Sequence, residues 1–232
     1  MNPTPEHAMT DHRTRFLQLA LQADALRFGE FTLKSGRCSP YFFNAGRFDT
    51  GAALVGLAGC YADAIDAALG AGQLQPFDLL FGPAYKGIPL ATALACEYAR
   101  RGRDLPLAFN RKEAKAHGEG GSLIGAPLAG RRVLIVDDVI TAGTAIREAL
   151  AIIEAAGAAT AGIVIALDRQ EAVDPAISRR SAAQTVADEH ALPVVAVATL
   201  DDLLGYAGGN AELALQQPRL LAYRAAYGTA GA

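Results

Sequence analysis

Short apolar runs alternate with longer amphipathic stretches along most of this chain. Val133–Val136 holds four aliphatic residues in a row, which is typical of a strand buried on both faces of a sheet. The stretch Thr144–Ala156 follows, where Ile146 and Ala149 recur at helical spacing and Gly157 is a stop signal. A strand that leads directly into a helix in this way predicts an α/β fold.

The same alternation extends to both sides of this unit. Further strands are predicted at Asp78–Phe81, Pro106–Phe109, Ile163–Leu167 and Pro193–Ala198, and further helices at Gly51–Leu69, Pro89–Arg101, Ser178–His190 and toward the C-terminus. Strands joined by helices form mostly parallel sheets with helices on both faces. Ligands bind such sheets beyond the carboxyl ends of the strands.

The N-terminal part follows a different pattern. The sequence predicts a disordered extension over residues 1–13 and a first amphipathic helix over Thr14–Asp24. The segment Ala25–Asn44 is typical of a β-hairpin, with strands at Phe31–Leu33 and Tyr41–Phe43 around a polar turn.

The chain shows no internal repeat and no low-complexity linker. We therefore expect one domain over residues 14–232. Within it, residues 14–50 and C-terminal elements are expected to form a small hood over the carboxyl edge of the central sheet.

Composition narrows the classes of function. A net charge of −3 over 232 residues gives no reason to expect a nucleic-acid partner, because a duplex binder needs a basic face. No run approaches the length of a membrane span, and the N-terminus lacks the regions of a signal peptide. Cys38, Cys60 and Cys96 are odd in number and widely separated, which suits reduced thiols in a cytoplasm. The histidines have no metal-ligand spacing.

The strongest chemical signal follows the strand Val133–Val136. Asp137 and Asp138 stand at its end, and the small-residue turn Thr141–Thr144 opens the next helix. Backbone N–H groups, two hydroxyls and a helix N-terminus suit a phosphate, whereas the two carboxylates suit vicinal ribose hydroxyls. Turn and cap roles are the structural alternative for each residue alone, but the joined run predicts a pocket for a ribose 5-phosphate.

Three more polar clusters follow predicted strands and should share this edge. They are the Gly/Pro-bounded turn Gly82–Gly87, the cationic segment Asn110–Gly121 and the segment Asp168–Glu171. The first could bring N–H groups and Lys86 to a pyrophosphate, and the second, which has no large apolar anchor, could be a mobile lid. Each cluster also has a purely structural alternative. Gly82–Gly87 could be an ordinary strand-to-helix connection, Asn110–Gly121 could be a solvated hairpin tip, and Arg169 could simply pair with Asp168 or Glu171.

The run Val133–Thr144 resembles the signature of the type I phosphoribosyltransferases, which bind phosphoribosyl pyrophosphate (PRPP). The strings Phe31–Asn44, Phe81–Leu90, Asn110–Gly121 and Leu167–Glu171 resemble the orotate phosphoribosyltransferases, in the expected order. The resemblance implies the type I fold and transfer of the 5-phosphoribosyl group from PRPP to orotate, in pyrimidine (UMP) biosynthesis. It also implies Mg²⁺, held through PRPP and water and not directly by protein ligands.

The resemblance also implies roles for individual residues. The catalytic candidates are Lys34, Lys115, Asp137 and Asp138. The candidates for PRPP binding are Lys34, Tyr85, Lys86, Arg111, Lys112, Lys115, His117, Asp137, Asp138, Val139, Ile140, Thr141, Ala142, Gly143, Thr144 and Ala145. The candidates for orotate binding are Phe42, Phe43, Thr141 and Arg169, with the Arg169 guanidinium on the carboxylate of the base.

In the family that the chain resembles, the lid acts on the neighbouring subunit. A homodimer with loop 110–121 acting across the interface is therefore expected, with no nucleic-acid or membrane partner. Two alternatives stay open: a phosphoribosyltransferase for another base, and a PRPP-binding regulator without catalysis. Arg169 and the aromatic cluster disfavour the first, and the retained lid cations disfavour the second.

Overall fold

A six-stranded sheet flanked by helices is the centre of the computed structural model of the protein. The structure describes residues 11–33, 35–115, 121–172, 174 and 177–229, with the side chains of 113–115 and 121 left out. The strands are β1 (Leu26–Thr32), β2 (Cys38–Phe43), β3 (Leu79–Gly82), β4 (Leu107–Lys115), β5 (Gly121–Gly125), β6 (Arg132–Asp137), β7 (Ala159–Asp168) and β8 (Val194–Thr199). The helices are α1 (His12–Gln22), α2 (Gly51–Gly70), α3 (Gly87–Arg100), α4 (Thr144–Ala155), α5 (Ala182–His190), α6 (Leu200–Gly209) and α7 (Gln217–Tyr227).

The central sheet has the strand order β5-β4-β3-β6-β7-β8. Every neighbouring pair is parallel except β4 and β5, which are antiparallel. The carboxyl ends of β3, β4, β6, β7 and β8 therefore lie along one edge. The predicted mostly parallel α/β fold is confirmed.

Both faces of the sheet are buried, as the apolar runs predict. Along β6, Leu134 and Val136 belong to the core that packs under α1, α2 and α3. Val133 and Ile135 point the other way, into the core with Ile146 of α4. Each such aliphatic side chain contributes about 1.5–3 kcal/mol on full burial, so this strand is held firmly beneath the residues at its end.

The hairpin β1–β2 is a separate two-stranded sheet that forms part of the expected hood. Phe43 packs against Phe16 of α1, with ring centroids 5.9 Å apart, and joins the hairpin to the main core. Tyr41 meets Tyr223 of α7 edge to face at 6.3 Å. These contacts join N-terminal and C-terminal segments, and the hood itself stays a prediction.

Three sequence expectations need correction. The helix α1 begins at His12, so the predicted extension 1–13 is too long, and residues 1–10 lie outside the described residues. The strand β4 continues to Lys115 and pairs with the unpredicted β5, so most of the expected loop 110–121 is a hairpin. The polar side chains of this part of β4 lack the alternation that indicates a strand. The strand is held there by backbone hydrogen bonds to β5 and not by side chains that face a core.

The third correction concerns α2 and the expectation that no run approaches the length of a membrane span. This helix is long and apolar enough to cross a membrane by length and composition, with a mean hydropathy of 1.5 over the relevant window, 44% of which is buried. Its residues Leu57, Tyr61 and Ile65 are at most 1% exposed and lie in the core of the fold. The alternation of alanines with large apolar residues hid this stretch from a search for uninterrupted apolar runs.

Candidate functional site

The acidic pair at the end of β6 is buried and tightly fixed. Asp137 and Asp138 are 8% and 5% exposed. The Asp138 N–H donates to Oδ1 of Asp137 at 2.9 Å, and the buried Tyr61 hydroxyl donates to the Asp137 carbonyl at 2.8 Å. The Ala166 N–H of β7 donates to the Asp138 carbonyl at 2.9 Å. Neighbouring elements therefore hold the main chain of both residues in place, and the Asp138 N–H fixes the Asp137 carboxylate.

The electrostatics of the pair are asymmetric. Burial and the adjacent charge of Asp138 raise the pKa of Asp137 to about 7. Lys86 places its Nζ 2.7 Å from Oδ2 of Asp138 and is itself 54% exposed. One carboxylate is thus close to half-protonated at neutral pH, and the other is compensated by a cation that can leave toward solvent.

The turn after the pair has the backbone that an anion site needs. Gly143 adopts a left-handed φ of +74° and stands at the N-cap of α4, where it offers no side chain to the helix N–H groups. An added Cβ there would lie 2.9 Å from Cγ2 of Val186. Thr141 and Thr144 are exposed on either side. First-turn N–H donors and two exposed hydroxyls of this kind suit a phosphate, and that role stays a prediction.

The connection from β3 to α3 lies beside this turn and is closely packed. A Cβ on Gly87 would lie 2.6 Å from Cδ of Pro83 and 2.7 Å from the Val136 carbonyl, so only glycine fits against the end of β6. Oδ1 of Asn110 accepts a hydrogen bond from the Ala84 N–H at 2.9 Å. The Ala84–Tyr85 peptide bond is cis.

The hairpin β4–β5 approaches the same connection. The Nζ of Lys112 lies 5.3 Å from the centroid of the exposed Tyr85 ring. Arg111 is half-buried next to it. Lys34, the side chain of Lys115, and His117 lie outside the described residues, and their roles stay predictions.

The expected base-binding end is built around Arg169, which follows β7. Its Nε donates to Oε1 of Glu171 at 2.8 Å, and its Nη2 lies 2.6 Å from the same oxygen. The guanidinium carbon lies 5.0 Å from the centroid of the fully buried Tyr41 ring. Nη2 is also 3.5 Å from Ser39 Oγ. Arg169 therefore forms the ion pair with Glu171 that was the alternative to a role in binding. The same guanidinium is the group that a role in orotate binding would require.

The two phenylalanines of the hairpin differ in their surroundings. Phe42 is half-buried and stacks on Phe31, with ring centroids 5.4 Å apart. Phe43 is 8% exposed, and its ring packs on Phe16 and Phe48 in the core. The side chain of Phe43 cannot cover a base without leaving the core, which leaves its backbone and the Phe42 ring for that role.

Several residues at this edge escaped the sequence analysis. Tyr61 holds the acidic pair from α2, and Asn110 fastens the β3–α3 connection from β4. Ser39 and Tyr41 approach Arg169 from the hairpin. Each acts on a residue distant in sequence, so no local spacing could have indicated it.

The donor set at the edge fits a magnesium ion that arrives with a diphosphate. Asp137 and Asp138 are hard oxygen donors, and Mg²⁺ commonly binds through one or two carboxylates plus substrate phosphates and water. Within the described ranges, no three His, Cys, Asp or Glu side chains come close enough to hold a metal ion. Most ligands of such an ion would have to come from the substrate and water.

Comparison with known proteins agrees with this geometry. Residues 65–187, which include the β3–α3 connection and the acidic pair, match the phosphoribosyl transferase domain family. The fold is that of a phosphoribosyltransferase. The orotate phosphoribosyltransferase of Xanthomonas euvesicatoria pv. vesicatoria is 76% identical over 221 residues, covering 95% of this chain and 98% of that protein. The chain belongs to the orotate phosphoribosyltransferase family.

Two further relatives extend the comparison. The orotate phosphoribosyltransferase of Stenotrophomonas maltophilia strain K279a is 70% identical over 220 residues, covering 95% of this chain and 98% of that protein. The crystal structure of the enzyme of that name from Francisella tularensis superposes with a TM-score of 0.80 at 40% identity, covering 92% of this chain and 99% of that chain. The similarity thus spans the hood as well as the central sheet.

Proposed function

We propose that this protein transfers the 5-phosphoribosyl group of PRPP to orotate, giving orotidine 5′-monophosphate and pyrophosphate, as a step of pyrimidine nucleotide synthesis in the cytoplasm. The observation that carries the proposal is the placement of Asp137, Asp138 and Lys86 at one sheet edge, beside the N-terminus of α4. The Nζ of Lys86 lies 2.7 Å from Oδ2 of Asp138. Relatives that share 70–76% of the sequence carry the orotate phosphoribosyltransferase name.

The difficult part of this reaction is cleavage of the anomeric C–O bond. Positive charge develops on the ribose ring while negative charge builds on the departing pyrophosphate. In our proposal Asp137 and Asp138 bind the ribose hydroxyls and lie near enough to favour the cationic sugar. The turn Thr141–Ala145 holds the 5-phosphate. The ring N1 of orotate gives its proton to water or to the departing pyrophosphate and attacks the anomeric carbon from the other side, so that the C–N bond forms as the C–O bond breaks, without a covalent enzyme intermediate.

Cations around the diphosphate complete the mechanism. Lys86 moves from Asp138 to the pyrophosphate, which its exposed side chain permits. Arg111 and Lys112, with Lys34 and Lys115, add charge that strengthens as the bond breaks. Bound Mg²⁺ would neutralise diphosphate charge and so weaken the scissile bond.

At the base-binding end we assign Arg169 to the carboxylate of orotate, with Phe42 against the ring and Thr141 nearby. Uracil and the purines lack this carboxylate, so a guanidinium at that point distinguishes orotate from them. We also propose a homodimer in which the segment 110–121 acts across the interface on the partner's site.

A direct assay tests the proposal. The purified protein is mixed with PRPP, Mg²⁺ and orotate, and loss of orotate absorbance is followed alongside pyrophosphate release. The expected result is Mg²⁺-dependent consumption of orotate, with none of uracil, adenine or hypoxanthine. Consumption of another base in place of orotate would establish the first alternative. PRPP binding without turnover of any base would establish the regulator.

A further inference from the structure

Glu171 is the hub of a small buried network at the base-binding end. Its Oε1 accepts from Nε of Arg169 at 2.8 Å and lies 2.6 Å from Nη2, and it also accepts from the Tyr41 hydroxyl at 3.1 Å. The side chains of Glu171 and Arg169 are 12% and 16% exposed. Three donors on one oxygen, away from bulk water, fix the plane of the guanidinium far more firmly than a surface ion pair would.

The contacts of the guanidinium lie mainly on one edge. Nε and Nη2 are directed to Glu171, and Nη2 also approaches Ser39 Oγ at 3.5 Å. These hydrogen bonds use Nε and Nη2 and not Nη1. The aromatic ring of Tyr41 covers the guanidinium carbon at 5.0 Å. The remaining donors therefore point in a direction that Glu171 and Tyr41 determine.

The C-terminal segment holds Glu171 in this position. Ala172 donates its N–H to the Tyr227 carbonyl at 2.8 Å, and Thr229 donates its N–H to the Gln170 carbonyl at 3.0 Å. Between these two bonds, Glu171 forms a β-bridge with Gly228. A Cβ on Gly228 would lie 2.5 Å from the Arg224 carbonyl, so this close pairing needs glycine.

We propose that Glu171 is a positioning residue that aims the Arg169 guanidinium at the carboxylate of the base, with the segment 223–229 as its support. The inference rests on the proposed function, because it needs a carboxylate-bearing base. Glu171 lowers the net positive charge near that carboxylate, so its benefit comes from orientation and not from charge. An arginine already fixed in its binding geometry loses less conformational entropy when the substrate arrives.

Two substitutions at Glu171 separate orientation from charge. Glu171→Ala removes the acceptor, and Glu171→Gln keeps an acceptor oxygen but removes the charge. We expect Glu171→Ala to raise the KM for orotate about tenfold or more, with the KM for PRPP within about twofold of wild type. Glu171→Gln should stay within about threefold of wild type for both substrates. Glu30→Ala, which breaks the exposed Glu30–Arg219 pair, is the matched control and should behave as wild type.

Several outcomes would overturn the inference. An unchanged or lowered orotate KM in Glu171→Ala would show that orientation is unimportant or that charge dominates. Equal losses in the Ala and Gln variants would show that the acceptor oxygen kept by Gln does not orient Arg169, and a parallel rise in the PRPP KM would indicate general damage.

A smaller change decides the question if Glu171→Ala does not fold. Tyr41→Phe removes only the hydroxyl that donates to Oε1, and an unchanged orotate KM in that variant would also overturn the inference. Failure of the wild type to consume orotate would instead overturn the proposed function.

Discussion

The proposed phosphate-binding and base-binding ends of the site are built in different ways. The first comes mainly from one contiguous run, Val133–Thr144, in which strand, carboxylates, turn and helix follow each other. The second joins three distant segments, around Tyr41, Arg169 and Tyr223. A contiguous site depends on one strand end, whereas an assembled site depends on the packing of the hood.

The candidate cations of the two proposed ends also differ. The chain has four lysines, Lys34, Lys86, Lys112 and Lys115, and all four are candidates for PRPP binding together with Arg111, whereas the candidate at the base-binding end is Arg169 alone. A lysine is a mobile point charge that can follow a departing pyrophosphate, and an arginine is a rigid fork suited to a planar carboxylate. The predominance of lysine among the PRPP candidates therefore suits a partner that moves.

The largest expected effect comes from the contiguous end. Asp138→Asn keeps the shape of the side chain but removes the charge that faces the ribose and Lys86. We expect kcat/KM for PRPP to fall about 1,000-fold, because preorganised charge of this kind stabilises the transition state strongly. Steady-state kinetics measure the loss, and Asp188→Asn on the exposed face of α5 is the control. A loss smaller than about tenfold would contradict the assigned role.

Lys115→Ala tests the hairpin between β4 and β5. We expect turnover to fall about 100-fold while the orotate KM changes little, because the lysine acts on the leaving pyrophosphate. Steady-state kinetics with both substrates varied give the two constants. Equal losses in turnover and in orotate binding would contradict the lid role.

A mixing experiment tests whether the hairpin acts across subunits. In a refolded equal mixture of the Lys115→Ala and Asp138→Asn chains, about half of the dimers are hybrids with one intact composite site. About a quarter of wild-type activity should therefore return. Recovery of none would place Lys115 in the site of its own subunit.

The comparison also shows how much of the molecule could be predicted from the sequence. The strands and helices around the acidic pair were predicted within a few residues, because buried strands and amphipathic helices have periods that mark them. The candidate residues of the contiguous run could be proposed because they directly follow such a strand, and their roles stay predictions. Tyr61 and Asn110 were missed because each forms its hydrogen bond to another element, Tyr61 to the Asp137 carbonyl and Asn110 to the Ala84 N–H. The extent of β4 was missed because its polar residues do not face a core.

Replacing a glycine by alanine tests how closely the residues pack at the contiguous end. Gly87→Ala places a Cβ 2.6 Å from Pro83 and 2.7 Å from the Val136 carbonyl, and we expect the free energy of unfolding to fall by about 2 kcal/mol. Gly59→Ala on α2 meets nothing within 4 Å and should instead raise that free energy by about 0.5–1 kcal/mol. Urea denaturation measures both. Equal stability of the two variants would show that the β3–α3 connection adjusts freely.

The smallest effect is a pH dependence from Asp137. Burial and the charge of Asp138 raise the pKa of this carboxyl to about 7, from about 4 in the unfolded chain. A raised carboxyl pKa means that the native state binds the proton more tightly. The stability from this group is therefore complete below about pH 4 and is lost as the pH rises through about 7. Asp137→Asn cannot lose a proton, so its free energy of unfolding should gain about 1–2 kcal/mol on the wild type between about pH 5 and about pH 6.5. Urea denaturation across this range measures the difference between the two proteins. A constant difference would mean that Lys86 and the neighbouring N–H groups already hold Asp137 ionised, and the asymmetry of the acidic pair would then be absent.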